Sequence, residues 1–209
     1  MINFENIVKK VLNESLSQMA YHFTTLKKYY QIVDSNKITF SKAYGTDVDV
    51  NNKYGKKSPY YFSTTRIRDG RVGFSKGKNV RIELNTDFFN NRFRANAVNF
   101  YGSRNKYKTI LGLDDGSMSG NKYETESEDR IYSDVPEITG VSKCINRVDV
   151  LIPLQIDELK EMVTRNRDYY TMLRDIFNSD MGLKTFIYND EMQFNLQGKN
   201  ITEEVLKWL

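Results

Sequence analysis

The sequence predicts an α+β fold with a split, mostly antiparallel β core and helices from both ends of the chain packed outside it. Strand-length apolar patches are separated by loops, without the repeated strand–helix alternation of a doubly wound sheet. Tyrosine and phenylalanine, at 14 and 12 residues, carry much of the apolar content, which favours a β-rich core. With 209 residues, the chain suits one large domain or a domain with a helical extension.

The first three quarters of the chain predict a helix followed by the β core. Apolar residues at helical spacing predict an N-terminal amphipathic helix within 1–20, and the core then spans 21–153. Glycine, aspartate, asparagine and lysine crowd the segment 43–58, which predicts a loop. The remaining predicted elements are strands at 21–26, 38–40, 60–64, 79–84, 95–101, 129–132 and 147–152, a helix at 26–33 and a helical turn at 87–91.

The C-terminal part, 154–209, predicts a helical and hairpin extension packed on the same domain. Its clearest feature is an apolar helical face over 156–177, which predicts one helix. Beyond it the sequence predicts a hairpin made of 185–188 and 192–196, and a last helix that Asn200 caps, with Glu203 completing a capping box.

Charge and cysteine content exclude several classes of protein. The net charge of +4 permits an anionic ligand without requiring nucleic acid. Cys144 is the only cysteine, so no disulfide forms within the chain, and we expect a reducing compartment such as the cytoplasm. One histidine and one cysteine make no conventional metal site. We therefore expect no metal. No stretch approaches the length of a membrane span, so we also expect no membrane partner.

Three short patches carry the candidate functional residues. The only histidine, His22, opens the first patch, and Thr24 lies in the same short strand. The second patch is an aromatic strand with Tyr61 inside it and Arg66 just after it. In the third patch, Glu128 starts a later strand. Each patch puts polar side chains at or near a strand end, which predicts a single cleft assembled from distant segments.

These patches resemble a known family. His22-Phe23-Thr24 before a helix, Tyr61-Phe62-Ser63-Thr64-Thr65-Arg66 at a strand end, and Glu128 opening a later strand resemble the NAD-using ADP-ribosyltransferase fold. The resemblance covers 21–152 and is strongest to the DarT-type transferases that modify DNA bases. It implies that His22 and Thr24 bind the nicotinamide and its ribose, and that Arg66 and Glu128 are catalytic. It also implies that NAD is a substrate.

The residue types suit the chemistry that the resemblance implies. Breaking the bond between nicotinamide and ribose places positive charge on the sugar, which a fixed carboxylate such as Glu128 stabilises. Arg66 would grip the diphosphate with two parallel donors, and Tyr61 would stack on the nicotinamide. Glu126 shares a strand face with Glu128 and forms a Glu-x-Glu pair that resembles the arginine-modifying toxins. With the preceding loop, 111–124, it would meet the acceptor.

Each of these residues also has a purely structural interpretation. A lone histidine on a strand, such as His22, is more often structural than catalytic. Arg66 lies in a basic cluster of the kind that usually forms a solvated surface. The acidic run that contains Glu126 and Glu128 could simply keep a loop soluble. Phe62 is better suited to the core than to stacking on a ligand.

Three classes of function therefore stay open. The first is an ADP-ribosyltransferase that acts on a macromolecular acceptor, either DNA, RNA or protein. The second is an RNA 2′-phosphotransferase of the same fold, which would need more basic residues than His22 and Arg66. The third is an inactive transferase-like domain that docks to a protein partner through its terminal helices, for example in a phage particle. The expected locations are accordingly the cytoplasm, a host cytoplasm or a phage particle.

Overall fold

The chain is a mixed α+β protein with a large, mostly antiparallel sheet and several helices, as the sequence predicts. The computed structural model describes residues 20–65, 68, 75–98, 128–190, 194 and 197–209. The predicted N-terminal helix, the predicted loop at 111–124 and the end of the predicted strand at 95–101 lie outside these residues. None of the described helices combines the length and the apolar character that crossing a membrane requires.

The described elements are named here in chain order. The strands are β1 (Tyr21–Thr24), β2 (Lys37–Thr39), β3 (Ser41–Lys42), β4 (Tyr60–Thr65), β5 (Val80–Leu84), β6 (Arg94–Val98), β7 (Glu128–Ser133), β8 (Glu137–Thr139), β9 (Ile145–Leu151), β10 (Thr185–Asn189) and β11 (Lys199–Asn200). The helices are α1 (Leu26–Ser35), α2 (Thr46–Tyr54), α3 (Thr86–Asn90), α4 (Val141–Cys144), α5 (Ile156–Arg165), α6 (Arg167–Asn178) and α7 (Thr202–Leu206). Strands β2 and β8 form a small sheet of their own.

The chain folds into two compact units, each built from separate stretches of sequence. The described parts of the first unit are 20–21, 39–65, 85–98 and 128–138. Those of the second unit are 22–38, 68, 75–84, 139–190, 194 and 197–209.

In the first unit, β4 is the central strand. It pairs antiparallel with β7 along its whole length, from Tyr60 opposite Ser133 to Thr65 opposite Glu128. Strand β6 continues the sheet beyond β7, also antiparallel. On its other side, β4 pairs with β3 and, through Thr65, with Tyr21 at the start of β1. The two predicted motif strands around Tyr61 and Glu128 are therefore direct neighbours.

Aromatic rings form the core of the first unit. Phe40 stacks on Phe62 with ring centroids 5.7 Å apart and an angle of 21° between the rings. Phe93 lies 5.7 Å from Phe40 and 5.8 Å from Phe89, so the rings form one continuous cluster. Phe62 is buried, which confirms its structural interpretation and removes it as a stacking platform for a ligand.

Helix α2 is the main correction in the first unit, because the sequence predicts a loop at 43–58. The helix lies between Gly45, whose φ of 55° favours glycine, and Gly55. Acidic residues in its first turn, Asp47 among them, suit the positive end of the helix. A Cβ at Gly55 would lie 2.6 Å from the ring of Tyr132, so only glycine lets the helix end close to the sheet.

In the second unit, β9 is the central strand. It pairs antiparallel with β5, from Val80 opposite Val150 to Leu84 opposite Ile145. It also pairs with β10 in parallel, and β11 then adds to β10 antiparallel. The parallel pair requires a crossover, which α5 and α6 supply between the two strands.

The C-terminal extension differs from its prediction in its first helix. The single helix predicted over 156–177 is two helices, because Asn166 ends α5 and its Oδ1 accepts the Tyr169 N–H at 3.1 Å to cap α6. The predicted hairpin strand at 192–196 lies, apart from Phe194, outside the described residues, and the antiparallel partner that the structure describes for β10 is β11. The last helix is present, and Asn200 Oδ1 accepts the Thr202 N–H at 3.0 Å where it begins.

Candidate functional site

Glu128 is the centre of the candidate site. It is the first residue of β7, and only 3% of it is exposed. Side chains two residues apart on a strand share a face, so Glu128 and Arg130 point to the same side of the sheet. Opposite them in the register stand Thr65 and Ser63 of β4. The pairing of two distant strands thus places a carboxylate, a guanidinium and a hydroxyl on one face.

The Glu128 carboxylate is held through one of its two oxygens. Its Oε1 accepts a hydrogen bond from the Ser63 hydroxyl and another from Arg130 Nε at 2.8 Å. The Ser63 contact is diagonal across the strand pair, within the reach of neighbouring side chains on one face. No described residue donates a hydrogen bond to Oε2 of Glu128. The carboxylate is therefore held through Oε1, while Oε2 accepts from none of the residues that the structure describes.

Asp47 of α2 joins this group from the other side of Arg130. Its Oδ1 lies 3.0 Å from Arg130 Nη1, and its Oδ2 accepts the Tyr61 hydroxyl at 2.9 Å. The Arg130 guanidinium also lies over the Tyr61 ring, with Cζ 4.1 Å from the centroid. We call Asp47, Tyr61, Ser63, Glu128 and Arg130 the Glu128 cluster. It contains two carboxylates and one guanidinium, so its formal charge is negative when both acids are ionised.

Burial and charge shift the titration of this cluster. Burial raises the pKa of the Glu128 carboxyl above its ordinary value, and Asp47 adds to the rise, while Arg130 and Ser63 lower it. Burial and the hydrogen bond to Asp47 raise the pKa of the Tyr61 hydroxyl to about 12. Tyr61 is therefore protonated at neutral pH and acts as a hydrogen-bond donor. Glu128, in contrast, accepts a proton more readily than a glutamate in water.

The structure brings two of the predicted site residues together, since Tyr61 and Glu128 both belong to the Glu128 cluster. Arg66 and Glu126 lie outside the described residues. His22 and Thr24 belong to the second unit, where His22 is half-buried and Thr24 is buried. The convergence of His22 and Arg66 with Glu128 in one cleft, and the stacking of Tyr61 on nicotinamide, stay predictions.

Sequence reasoning missed three members of the Glu128 cluster. Arg130 stands two residues after Glu128, so the same alternation that pairs Glu126 with Glu128 could have found it. Ser63 lies inside the quoted motif, but strand-end serines are common and nothing marks this one. Asp47 had no signal at all, because its segment was predicted to be a loop.

A second buried polar group, in the second unit, gives a useful contrast. Arg81, which is 1% exposed, binds Asp149 Oδ2 through Nη2 at 2.7 Å and through Nε at 3.1 Å. Its Nη1 donates to the carbonyls of Arg68 and Phe194, at 2.7 and 2.8 Å. The other Asp149 oxygen accepts from Arg147 Nε at 2.8 Å. Both carboxylate oxygens of Asp149 are thus paired, as in a structural ion pair.

The described residues contain no group of three or more histidine, cysteine, aspartate or glutamate side chains that could hold a metal ion. The chain matches no protein-family model, no curated protein and no solved structure.

Proposed function

We propose that this protein is an NAD-dependent ADP-ribosyltransferase, with an ADP-ribosyltransferase-like core, that uses Glu128 as its catalytic carboxylate and modifies a macromolecular acceptor. The observation that carries the proposal is the Glu128 carboxylate, buried and fixed through Oε1 by Ser63 and Arg130, with Oε2 accepting from no described residue.

A carboxylate in this state suits the cleavage of a glycosidic bond. As nicotinamide leaves, positive charge develops on the ribose, and a preorganised carboxylate nearby stabilises that charge. Oε2 of Glu128 can accept a hydrogen bond from a ribose hydroxyl, or it can take the proton of the incoming nucleophile. The raised pKa of this carboxyl supports the second role, because it moves proton acceptance towards neutral pH.

The contrast with Asp149 favours a functional role for Glu128. Both are buried carboxylates on a β-strand, and each binds an arginine. Asp149 uses both oxygens for internal ion pairs, which is what a purely structural carboxylate requires. Donors among the described residues reach only one oxygen of Glu128, and burial disfavours its ionised form, which raises the pKa of this carboxyl. Such shifts are common where a carboxylate is kept for chemistry.

The roles of the other residues follow from the resemblance. We propose that Arg66 binds the diphosphate of NAD, that His22 and Thr24 bind the nicotinamide and its ribose, and that Tyr61 lies against the nicotinamide. Glu126 and the segment 111–124 would contact the acceptor, which is DNA, RNA or protein.

The test measures NAD cleavage and transfer separately. The purified protein is incubated with labelled NAD, alone and with a cell lysate, and nicotinamide release is measured beside label incorporation. Nuclease and protease sensitivity of the labelled product then identifies the acceptor class. We expect Glu128→Gln to lower both activities by at least about 100-fold while NAD binding is kept. Arg66→Ala should weaken NAD binding itself.

Glu161→Gln serves as the matched control, because Glu161 is an exposed glutamate that pairs with Arg165 on the surface. It should behave like wild type. Calorimetry that shows no NAD binding by well-folded wild-type protein would contradict the proposal and favour the inactive docking domain. Nicotinamide release that persists in Glu128→Gln would assign the chemistry to another carboxylate.

A further inference from the structure

The second unit contains a cavity that the proposed function does not use. Its volume is about 340 Å³, within the range of about 300–1,000 Å³ that is usual for small-molecule sites. The cavity lies against α5, the start of α6 and the segment after α7, and it is lined by Lys160, Val163, Thr164, Arg167, Tyr170 and Trp208.

Helix geometry explains why these side chains meet. Lys160, Val163 and Thr164 are spaced three and four residues apart, which places them on one face of α5. Val163 is buried and forms the apolar part of the wall. Tyr170 is half-buried and its hydroxyl donates a hydrogen bond to the backbone oxygen of Leu209 at 2.5 Å, which ties the segment after α7 to α6.

The charged side chains that line the cavity are both cations. Lys160 and Arg167 are exposed, and neither forms an ion pair with a carboxylate in the described part of the chain. By contrast, nearby Arg165 binds Glu161 at 2.5 Å. The Thr164 hydroxyl donates to the Lys160 carbonyl at 2.7 Å and is therefore already used. Two cations at one cavity, with no carboxylate partner among the described residues, favour an anionic ligand.

The remaining wall is aromatic. Tyr170 and Trp208 both line the cavity and supply flat apolar surface beside the two cations. Trp208 Nε1 is buried and finds no acceptor among the described residues. Rings of this kind bind other planar groups by stacking or edge contacts. A ligand that satisfies the whole cavity needs a flat ring as well as a negative charge.

We propose that this cavity binds a small aromatic anion, whose charged group lies by Lys160 and Arg167 and whose ring packs against Tyr170 and Trp208. Nucleotides and aromatic carboxylates share this chemistry. The site is independent of the Glu128 cluster and stands whether or not the protein cleaves NAD.

The intrinsic fluorescence of the full chain tests this directly, because Trp208 is the only tryptophan. The protein is titrated with adenosine monophosphate and, separately, with 4-hydroxybenzoate, and each affinity is checked by calorimetry. Adenosine lacks the anion and inorganic phosphate lacks the ring, so these two probes measure separately how much the ring and the charge contribute to affinity. We expect saturable binding of one or both aromatic anions, with adenosine and phosphate at least about tenfold weaker. The anion that binds more tightly shows whether the cavity suits a nucleotide or an aromatic carboxylate.

Variants assign the binding to this cavity. Lys160→Gln and Arg167→Gln should each lower the affinity for the aromatic anion about tenfold. Both residues are exposed, so we expect each variant to keep the fold. Arg165→Gln is the control, since Arg165 is a neighbouring exposed cation that does not line the cavity, and its affinity should equal that of wild type. Because adenosine monophosphate is also part of NAD, loss of its binding in the cavity variants separates this site from an NAD site.

Three results would overturn the proposal. One is the absence of saturable binding of either aromatic anion to folded wild-type protein in calorimetry. Another is unchanged affinity in the double variant Lys160→Gln/Arg167→Gln. The third is equal binding of adenosine and adenosine monophosphate, which would show that the two cations contribute nothing.

Discussion

Replacing Glu128 by glutamine separates a catalytic role from a structural one. Glutamine keeps the shape of the side chain and an oxygen that accepts from Ser63 and Arg130, but it carries no charge. Under the proposed function, this change abolishes transfer. Under the structural interpretation, the same change breaks a buried ion pair and destabilises the fold.

The expected change in stability is small or favourable. Two hydrogen bonds lose their charge assistance, which costs about 1 kcal/mol each. Against this, the variant no longer buries an ionised carboxylate, a penalty of several kcal/mol. Arg130 stays compensated, because Asp47 Oδ1 remains 3.0 Å away. We therefore expect the unfolding free energy of Glu128→Gln at neutral pH to lie between the wild-type value and about 2 kcal/mol above it.

The pH dependence of the unfolding free energy is a second test of whether the ionised Glu128 destabilises the fold. The pKa of Glu128 is raised in the folded protein, so the folded state binds this proton more tightly than the unfolded chain. Wild-type stability therefore falls as pH rises from the ordinary glutamate pKa of about 4.3 to the raised value. The glutamine variant lacks this titration. Its stability relative to wild type should rise across that window and level off above it.

Urea unfolding followed by circular dichroism at several pH values measures this difference, with nicotinamide release measured on the same samples. Unchanged m-values confirm that the two proteins unfold from comparable states. A loss of more than about 2 kcal/mol at neutral pH would refute the reasoning, because it would mean that the carboxylate stabilises the fold as a structural ion pair does.

Three further substitutions test the two units. Arg81→Met should lower the unfolding free energy by about 3–5 kcal/mol, since it removes the donors to a buried carboxylate and two carbonyls; a loss below about 1 kcal/mol in urea unfolding would contradict this. Tyr61→Phe removes the bond to Asp47 but keeps the ring beside the arginine, so we expect a loss of about 0.5–1.5 kcal/mol, and thermal unfolding that shows no change would argue against that bond. Gly55→Ala places a Cβ against the Tyr132 ring and should cost about 1–3 kcal/mol and reduce NAD cleavage; full activity at wild-type stability would show that α2 has room to move.

The sheet could be predicted from the sequence because its strands carry strong local signals. The run 79–84 alternates, and 60–64 is aromatic and bounded by turn residues, so side-chain pattern alone locates both strands. Helix α2 could not be predicted in this way. Its segment is rich in glycine, asparagine and aspartate, and the helix packs beside Tyr132 through Gly55, a tertiary contact that local sequence does not reveal.

The candidate site shows the same limit. The sequence predicts Glu128 and Tyr61 as site residues because Glu128 opens a strand and Tyr61 lies in an aromatic one, in an order that resembles the ADP-ribosyltransferase motifs. Arg130 has a sequence signal in its spacing from Glu128, whereas Asp47 reaches the cluster only because α2 folds over that face. The break at Asn166 is similar, since an unbroken apolar periodicity passes through a residue that caps a new helix.

The long separation between the partners of Glu128 determines when the cluster can form. Ser63 lies 65 residues before Glu128, and closing a loop of this length has an entropic cost of about 4 kcal/mol before the contact contributes anything. The parallel pair β9 and β10 is joined instead by the single crossover 152–184, so these two strands are separated by a shorter stretch of chain. During synthesis, a chain that ends before Glu128 has already made Ser63 but has no carboxylate for it to hold. A nascent or truncated chain of that length therefore cannot form the Glu128 cluster, which assembles only after β7 has left the ribosome.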